Sequence, residues 1–495
     1  MNISQDPVSA SRILVIGANG YVGSNLVPAL LRAGHHVKAT SRNLSQLSKQ
    51  VWHRHPNVSL HHLDLDGECA AALSELLHNI DIVYYLVHGM ASGSAFYDYE
   101  LAIARNVSNA LSLSHVKRVI YLGATQPEGK SSPHLSARKA TGNILRESNV
   151  QIIELRAGII IGTGSAAFEV MRDVVSHLPA VIAPIWLTSQ SSPIALETVI
   201  RYLGQMVTLS LDGSLVLEMK GPEVISYEQQ MQRLARMINK RILIIKVPFL
   251  TPKMAASCLS IATSVPTPIA AALIEGLSHN LVSDTTDVST LLPLPAIHFE
   301  AAVETALSSE SDVVKNEIWG YDPDAISRWH KGYGYYPKQA GFSVDTDATA
   351  EQLWKNIQKV GGDEGYFFGD WLWVLRGYID ALFGGNALVK QHPSGDNLGV
   401  GDFIDSWKVI QCEPLKHLSL LFGMKAPGLG RLEFTIIDHG THRTLDIRAW
   451  WHPAGFRGLL YWFAMMPAHL FIFKGMAIAL AKKSGATEIT PSPRQ

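Results

Sequence analysis

Three cysteines in 495 residues are too few, and too odd in number, for a disulfide framework. Cys69, Cys258 and Cys412 lie far apart and make no C-x-x-C pair, which fits a reducing cytoplasm. An excess of charge of either sign is also missing. Lys and Arg number 42, Asp and Glu 43, and the formal net charge is -1, so no electrostatic case exists for nucleic acid or an anionic membrane. Met1 to Ser11 is polar and lacks the apolar stretch of a signal peptide. There is no internal repeat and no low-complexity tract. Apolar residues, by contrast, are plentiful: 47% of the chain is hydrophobic and 17% charged, as in a soluble globular protein. The length predicts two or three domains.

Long apolar runs are scarce. Leu459–Leu480 is long enough to cross a bilayer, but Pro467, His469 and Lys474 interrupt it, and such groups are costly in hydrocarbon. A buried helix with a thick apolar face is the favoured reading over a membrane span, and peripheral membrane contact through 459–480 is a further reading for this segment.

The N-terminal third alternates short apolar runs with helical patterns, the mark of a doubly wound parallel sheet. Strands are expected at Arg12–Ile16, His36–Thr40, Val58–Leu63, Asp81–Val87, Arg118–Leu122 and Gln151–Leu155, with helices at Tyr21–Ala33 and Tyr97–Ser114. Gly221-Pro222-Glu223 followed by Ser226-Tyr227-Glu228 reads as a turn and a capped helix. Lys246–Gly276, broken by four prolines, suits a substrate-side subdomain of short helices. The segment containing Trp319-Gly320-Tyr321-Asp322 reads as a linker or wrapping stretch. Domains are therefore expected at 1–310, 311–347 (linker) and 348–490. In the last, Leu418–Met424, Arg431–Ile437 and Thr444–Trp451 alternate apolar and polar residues as an antiparallel sheet does. Asp438-His439-Gly440 supplies a hairpin turn, and a helix from near Leu459 closes an α+β fold.

Gly17-Ala-Asn19-Gly20-Tyr21-Val22-Gly23 follows a strand and opens a helix. Gly17 permits a tight turn, Gly20 lets backbone approach a pyrophosphate, and Gly23 lets helix and strand pack closely. Phosphates would sit on the free amides of the helix N-terminus. Thr40-Ser41-Arg42 ends the second strand without the acid that binds a ribose 2′-hydroxyl. A guanidinium there pairs with a 2′-phosphate, so NADP(H) is preferred over NAD(H). Asp64 and Leu65 are placed for the adenine ring. Leu86, Val87 and His88 lie at the carboxyl end of the fourth strand, where open α/β sheets bind ligands.

The G-x-x-G-x-x-G spacing, with Leu155-Arg156-Ala-Gly158 and Ile161-Gly162, resembles the atypical short-chain dehydrogenase/reductases. A closer resemblance is to the bacterial YbjT-like proteins, in which such a domain precedes a C-terminal domain of unknown function. It is carried by Ala157 to Arg172, Asp405-Ser-Trp-Lys408, Leu421 to Arg431 and Asp446-Ile-Arg-Ala-Trp-Trp-His-Pro453. In active members of the superfamily Y-x-x-x-K, with a Ser or Thr, moves the proton. The resemblance places His134 and Arg138 at the Tyr and Lys positions and Thr125 at the Ser/Thr position. A His/Thr pair can still do acid–base work, and a fixed cation beside the imidazole favours its neutral form. Tyr84 and Tyr85 are alternative hydroxyls.

The C-terminal domain offers little conventional chemistry. His439, His442 and His452 lack an acid to complete a metal set, and no metal is expected. The antiparallel sheet and long helix resemble the helix-grip, START-like architecture that holds hydrophobic ligands, with Trp450, Trp451, Trp462 and Phe463 as pocket lining or core. Three functions compete. The chain is an NADP(H)-dependent oxidoreductase acting on an apolar small molecule, an NADP-sensing or scaffold protein, or a lipid-binding, membrane-docking protein.

Overall fold

Every side chain of β1 (Arg12–Ile16) after Arg12 is buried. A run that is apolar on both faces requires a sheet covered on both sides. The computed structural model describes residues 10–88, 96–129, 131–263, 265–317, 322–330, 332–382, 384–385, 389–393 and 397–492. The chain divides into two compact units, the first up to residue 318 and the second from 319 onward, apart from short stretches near 177 and 262.

In the first unit β1 joins β2 (His36–Ser41), β3 (Val58–His62), β4 (Ile82–Tyr85), β5 (Arg118–Ala124), β6 (Gln151–Ala157) and β7 (Leu215–Met219). The order is β7-β6-β5-β4-β1-β2-β3, and every pairing is parallel. The order reverses between β1 and β4, which opens a crevice at the carboxyl ends of the strands. Six of these strands were expected; β7 is a seventh. Helix α1 (Tyr21–Arg32) sends Leu26, Val27, Leu30 and Leu31 against Ile13, Val15 and Tyr84. On the other face α2 (Phe96–Ser112) and α3 (Pro133–Arg146) bury Ile103, Val107 and Leu145 against Leu14, Ile16 and Tyr85. Each fully buried aliphatic side chain contributes roughly 1.5–3 kcal/mol. Helix α4 (Leu196–Gln205) packs on the α1 face through Val199, Tyr202 and Leu203.

Beyond β6, short two-stranded ribbons and helices build the expected subdomain. Ser226 and Gln229 close a capping box at the start of α5 (Tyr227–Met237). Helices Pro252–Ala262 and Thr267–Leu277 occupy the proline-broken apolar stretch.

The segment 311–347 is richer in structure than a linker. Helix Phe299–Glu317 runs into it, Asp322 caps Pro323–Arg328, and β8 (Lys338–Thr346) ends it. Trp319, Gly320 and Tyr321 lie outside the described residues. Strand β8 is the start of the second sheet, with β9 (Phe403–Ile404), β10 (Trp407–Glu413), β11 (His417–Leu421), β12 (Gly428–Asp438), β13 (Arg443–Pro453) and β14 (Ile489–Pro491). Its order is β9-β10-β11-β12-β13-β8-β14, antiparallel throughout. Leu432, Phe434 and Ile436 face Leu445 and Ile447 in one core, while Arg431, Glu433 and Thr435 between them stay half-exposed.

Helix α6 (Asp370–Leu382) and the 29-residue α7 (Gly455–Lys483) belong to this unit. Trp462, Ile472, Phe473, Met476 and Leu480 of α7 enter the sheet's core. The helix is long and apolar enough to cross a membrane by length and composition, and only 28% of its most apolar window is buried. The reading of a buried helix therefore holds for one side alone, because Phe456, Leu460, Phe463, Leu470 and Phe471 are exposed.

Candidate functional site

The glycine turn after β1 has the geometry its spacing requires. Gly17 has φ +92°, a conformation that strains any side-chain-bearing residue. A Cβ on Gly23 would stand 2.2 Å from the Gly17 carbonyl oxygen, so only glycine lets helix and turn meet. Gly20 is the N-cap of α1; no side chain caps it and no acid occupies the first turn, which leaves the helix amides to an anion. The donor set thus fits a dinucleotide pyrophosphate. Asn19 is held beside the turn by Gln46, with Nδ2 donating at 3.0 Å.

At the end of β2, Thr40 is committed, its hydroxyl donating to the Val15 carbonyl. Ser41 Oγ accepts from the Asn43 amide. The exposed Arg42 has no ion-pair partner among the described residues, and it lies close enough to Tyr99 to oppose the upward shift that burial gives that phenol. Asp64, which acts on Tyr99 in the opposite sense, accepts the Asp66 amide. Leu65 is buried, and its carbonyl accepts from Asn106. Leu86 continues the ladder by donating its amide to the Ile16 carbonyl.

The groups at the carboxyl ends of β4 to β7 fall into two sets. In the first, Arg138 of α3 is buried, and its guanidinium donates to the carbonyls of Val87 and Leu122. It also lies 4.0 Å from Glu100 and over the Tyr121 ring. The fork thus ties together the ends of β4 and β5. His134 is near the start of the same helix, its ring 5.9 Å from Phe96, and its Nδ1 is buried without a hydrogen-bond partner among the described residues. Burial first, and Arg138 second, lower its pKa to about 4. The imidazole is therefore neutral at pH 7. Burial first, then Arg138 and His134, lower the His88 pKa to about 3; the residue is exposed to water, which moderates that desolvation.

In the second set, Thr125 Oγ1 donates to Glu218 Oε2 at 2.8 Å, with both residues buried. Burial raises the Glu218 pKa against the opposing effect of Thr125 and Arg156. Sequence patterning did not single out Glu218, because it belongs to the unexpected β7. A polar residue within the apolar run Leu215–Met219 is the signal that would have found it. Parallel register sets Glu218 beside Arg156 of β6. Tyr84 and Tyr85 are excluded as alternative hydroxyls. Both are fully buried; Tyr84 donates to the Leu203 carbonyl, and Tyr85 packs edge-on against Tyr121.

Residues 17–171 match the family model described as NAD(P)H-binding. The first unit's parallel sheet has a Rossmann-type order. Residues 339–476 match a second model, described as a protein of unknown function (DUF2867). No curated protein matches the chain. Among solved structures, triphenylmethane reductase from Citrobacter sp. is 19% identical, with 60% of this chain and 99% of that chain covered and a TM-score of 0.49. The same enzyme complexed with NADP(H) gives 18%, 60%, 100% and 0.48. UDP-glucuronic acid 4-epimerase from Bacillus cereus, in complex with UDP-glucuronic acid and NAD, gives 16%, 61%, 99% and 0.47.

Outside the Rossmann domain the three flagged histidines separate. The rings of His439 and His442 stack at 4.6 Å at the hairpin, where His439 bonds Thr444. His452 is buried, with Nδ1 bonded to the Gly334 carbonyl. Of the flagged aromatics, Trp450, Trp451 and Trp462 line a cavity, whereas Phe463 is exposed on α7 outside that lining.

Proposed function

We propose that the first unit is an NADP(H)-dependent oxidoreductase of the atypical short-chain, YbjT-like type, acting on an apolar small molecule. The observation that carries this reading is the buried Thr125–Glu218 pair, at the carboxyl end of the same sheet whose β1 turn forms the dinucleotide cradle. When bound, the nicotinamide supplies or takes up the hydride. The Gly17–Gly23 turn receives the pyrophosphate, and Arg42 pairs with the 2′-phosphate. Thr125 holds the reacting oxygen by its hydroxyl. In the reductive direction Glu218 is protonated, as its raised pKa favours, and the bond to Thr125 reverses: the carboxyl donates to Thr125 Oγ1, and the hydroxyl passes its own proton to the reacting oxygen while taking the one from Glu218. In the oxidative direction the same path runs in reverse, Thr125 taking the proton and passing it to Glu218, while His134, neutral at pH 7, adds no charge to the crevice. Arg138 positions the strand ends.

Calorimetric titration with NADPH and NADH tests the cofactor. Arg42→Ala is expected to weaken NADPH binding about tenfold, or about 1.4 kcal/mol, and to leave NADH unchanged. Equal weakening of both removes the 2′-phosphate contact. Turnover with a panel of apolar ketones, aldehydes and quinones tests the chemistry. Glu218→Gln should lower kcat tenfold or more at constant KM for NADPH. It should also abolish the fall in rate as pH rises through the raised Glu218 pKa. Tight NADPH binding with no turnover of any carbonyl would favour an NADP-sensing protein instead.

A second reading, membrane docking by the other unit, is favoured by one observation. Trp371, Val374, Leu375, Tyr378, Ile379 and Leu382 recur at helical spacing along α6, and all are exposed. Flotation of the intact protein with liposomes, lost in Leu382→Glu, supports that contact; a protein that stays in the soluble fraction rules it out.

A further inference from the structure

Between α6, α7 and the sheet of the second unit lies a cavity of about 150 Å³. Its wall is largely aromatic, with Trp373, Trp407, Phe422, Trp450, Trp451 and Trp462 among the lining residues. That volume suits one compact ring system and is too small for a long acyl chain. Five lining residues carry a buried polar atom without a hydrogen-bond partner among the described residues: Trp373 Nε1, Arg376 Nη1, Trp407 Nε1, Trp450 Nε1 and His469 Nδ1. Strand alternation turns Trp450 to the sheet face opposite Trp451 and Ala449, which leaves four of them for the cavity. The rest of the Arg376 fork is used: Nε donates to Tyr461 and Nη2 to the Lys425 carbonyl. Nη1 is 3.9 Å from Asp380, beyond hydrogen-bonding distance. A buried donor left unsatisfied is costly, and an apolar wall offers water few partners. The Trp373, Trp407 and Arg376 atoms are obligate donors, because an indole or guanidinium N–H accepts nothing.

We infer that this cavity binds a flat aromatic molecule carrying a carbonyl or carboxylate oxygen, with its ring among the indoles and its oxygen accepting from Arg376 Nη1 and the neighbouring indole N–H groups. His469 adds a neutral partner, since burial lowers its pKa to about 4. Leu375 and Ile379 of α6 line the cavity and remain exposed, so the ligand enters across an apolar rim. The site is independent of the nucleotide reading.

The test uses the full-length protein and three probes: benzoate, acetophenone and toluene. Binding is read by saturation-transfer NMR and by indole fluorescence. Benzoate or acetophenone is expected to bind at least tenfold more tightly than toluene, which lacks the acceptor. Ala468→Phe, which fills the cavity and leaves every donor in place, should abolish binding with an unchanged circular dichroism spectrum. Trp373→Phe should weaken the oxygenated probes and not toluene. The inference is overturned if neither oxygenated probe binds at millimolar concentration, if toluene binds as well as they do, or if Ala468→Phe binds like the wild type.

Discussion

The two sheets present their polar atoms in opposite ways. In the parallel sheet the faces are sealed by helices, and chemistry collects at the carboxyl ends of the strands, where Thr125, Glu218, His134 and Arg138 lie. In the antiparallel sheet one face is itself the working surface, and indoles fill it with few charges. The contrast follows from connection geometry. Parallel strands need crossover helices on both faces and leave only their ends open. Hairpin-connected strands leave a whole face to be covered by whatever helix follows, here α7.

The comparison breaks most readily at the glycine turn. Gly23→Ala puts a Cβ 2.2 Å from a backbone oxygen that has no room to retreat. NADPH affinity should fall at least a hundredfold, about 2.7 kcal/mol, in calorimetric titration, while the second unit's tryptophan fluorescence is unchanged. Retained affinity would mean that the cradle is not the binding site.

The reciprocal change is Gly475→Ala on α7, where a Cβ would meet the Phe368 ring at 2.0 Å. Overpacking of this kind costs typically about 1–3 kcal/mol. Denaturation followed by tryptophan emission should show the loss, with nucleotide affinity intact; a parallel loss of affinity would show that the two units are coupled.

A smaller effect concerns acid. His452 is fully buried, and its pKa is lowered from 6.5 to about 3, by burial first and Arg431 second. A folded-state pKa below the unfolded one gives stability that is present above pH 6.5 and lost as pH falls toward 3. His134 and His469 act in the same direction. The denaturation midpoint should therefore drop between pH 7 and pH 4.5, and less so in His452→Gln. An equal slope in the variant would move the effect to other groups.

Elements governed by local rules were legible in the sequence. The glycine spacing located the cradle because strand, turn and helix are contiguous. Strict alternation located β12 and β13, and Ser226 announced its capping box. Strand β7 was not legible, because Leu215–Met219 is five residues long and pairs with β6 across some sixty residues of intervening chain. With it went Glu218, the partner that gives Thr125 its chemistry. Strand β8 was hidden by the Gly- and Tyr-rich stretch before it, although Ala340, Phe342 and Val344 do alternate. The role of Arg138 depended on which carbonyls lay within its reach, and sequence position alone carried no such information.

The bond pattern of Arg138 constrains which side chain can stand there. A guanidinium reaches the Val87 and Leu122 carbonyls together because its donors diverge from a rigid plane. A lysine at 138 would offer a shorter, single-headed group and abandon at least one carbonyl in the interior. The two strand ends thus hang on one clasp, and a residue that frees either carbonyl unfastens both.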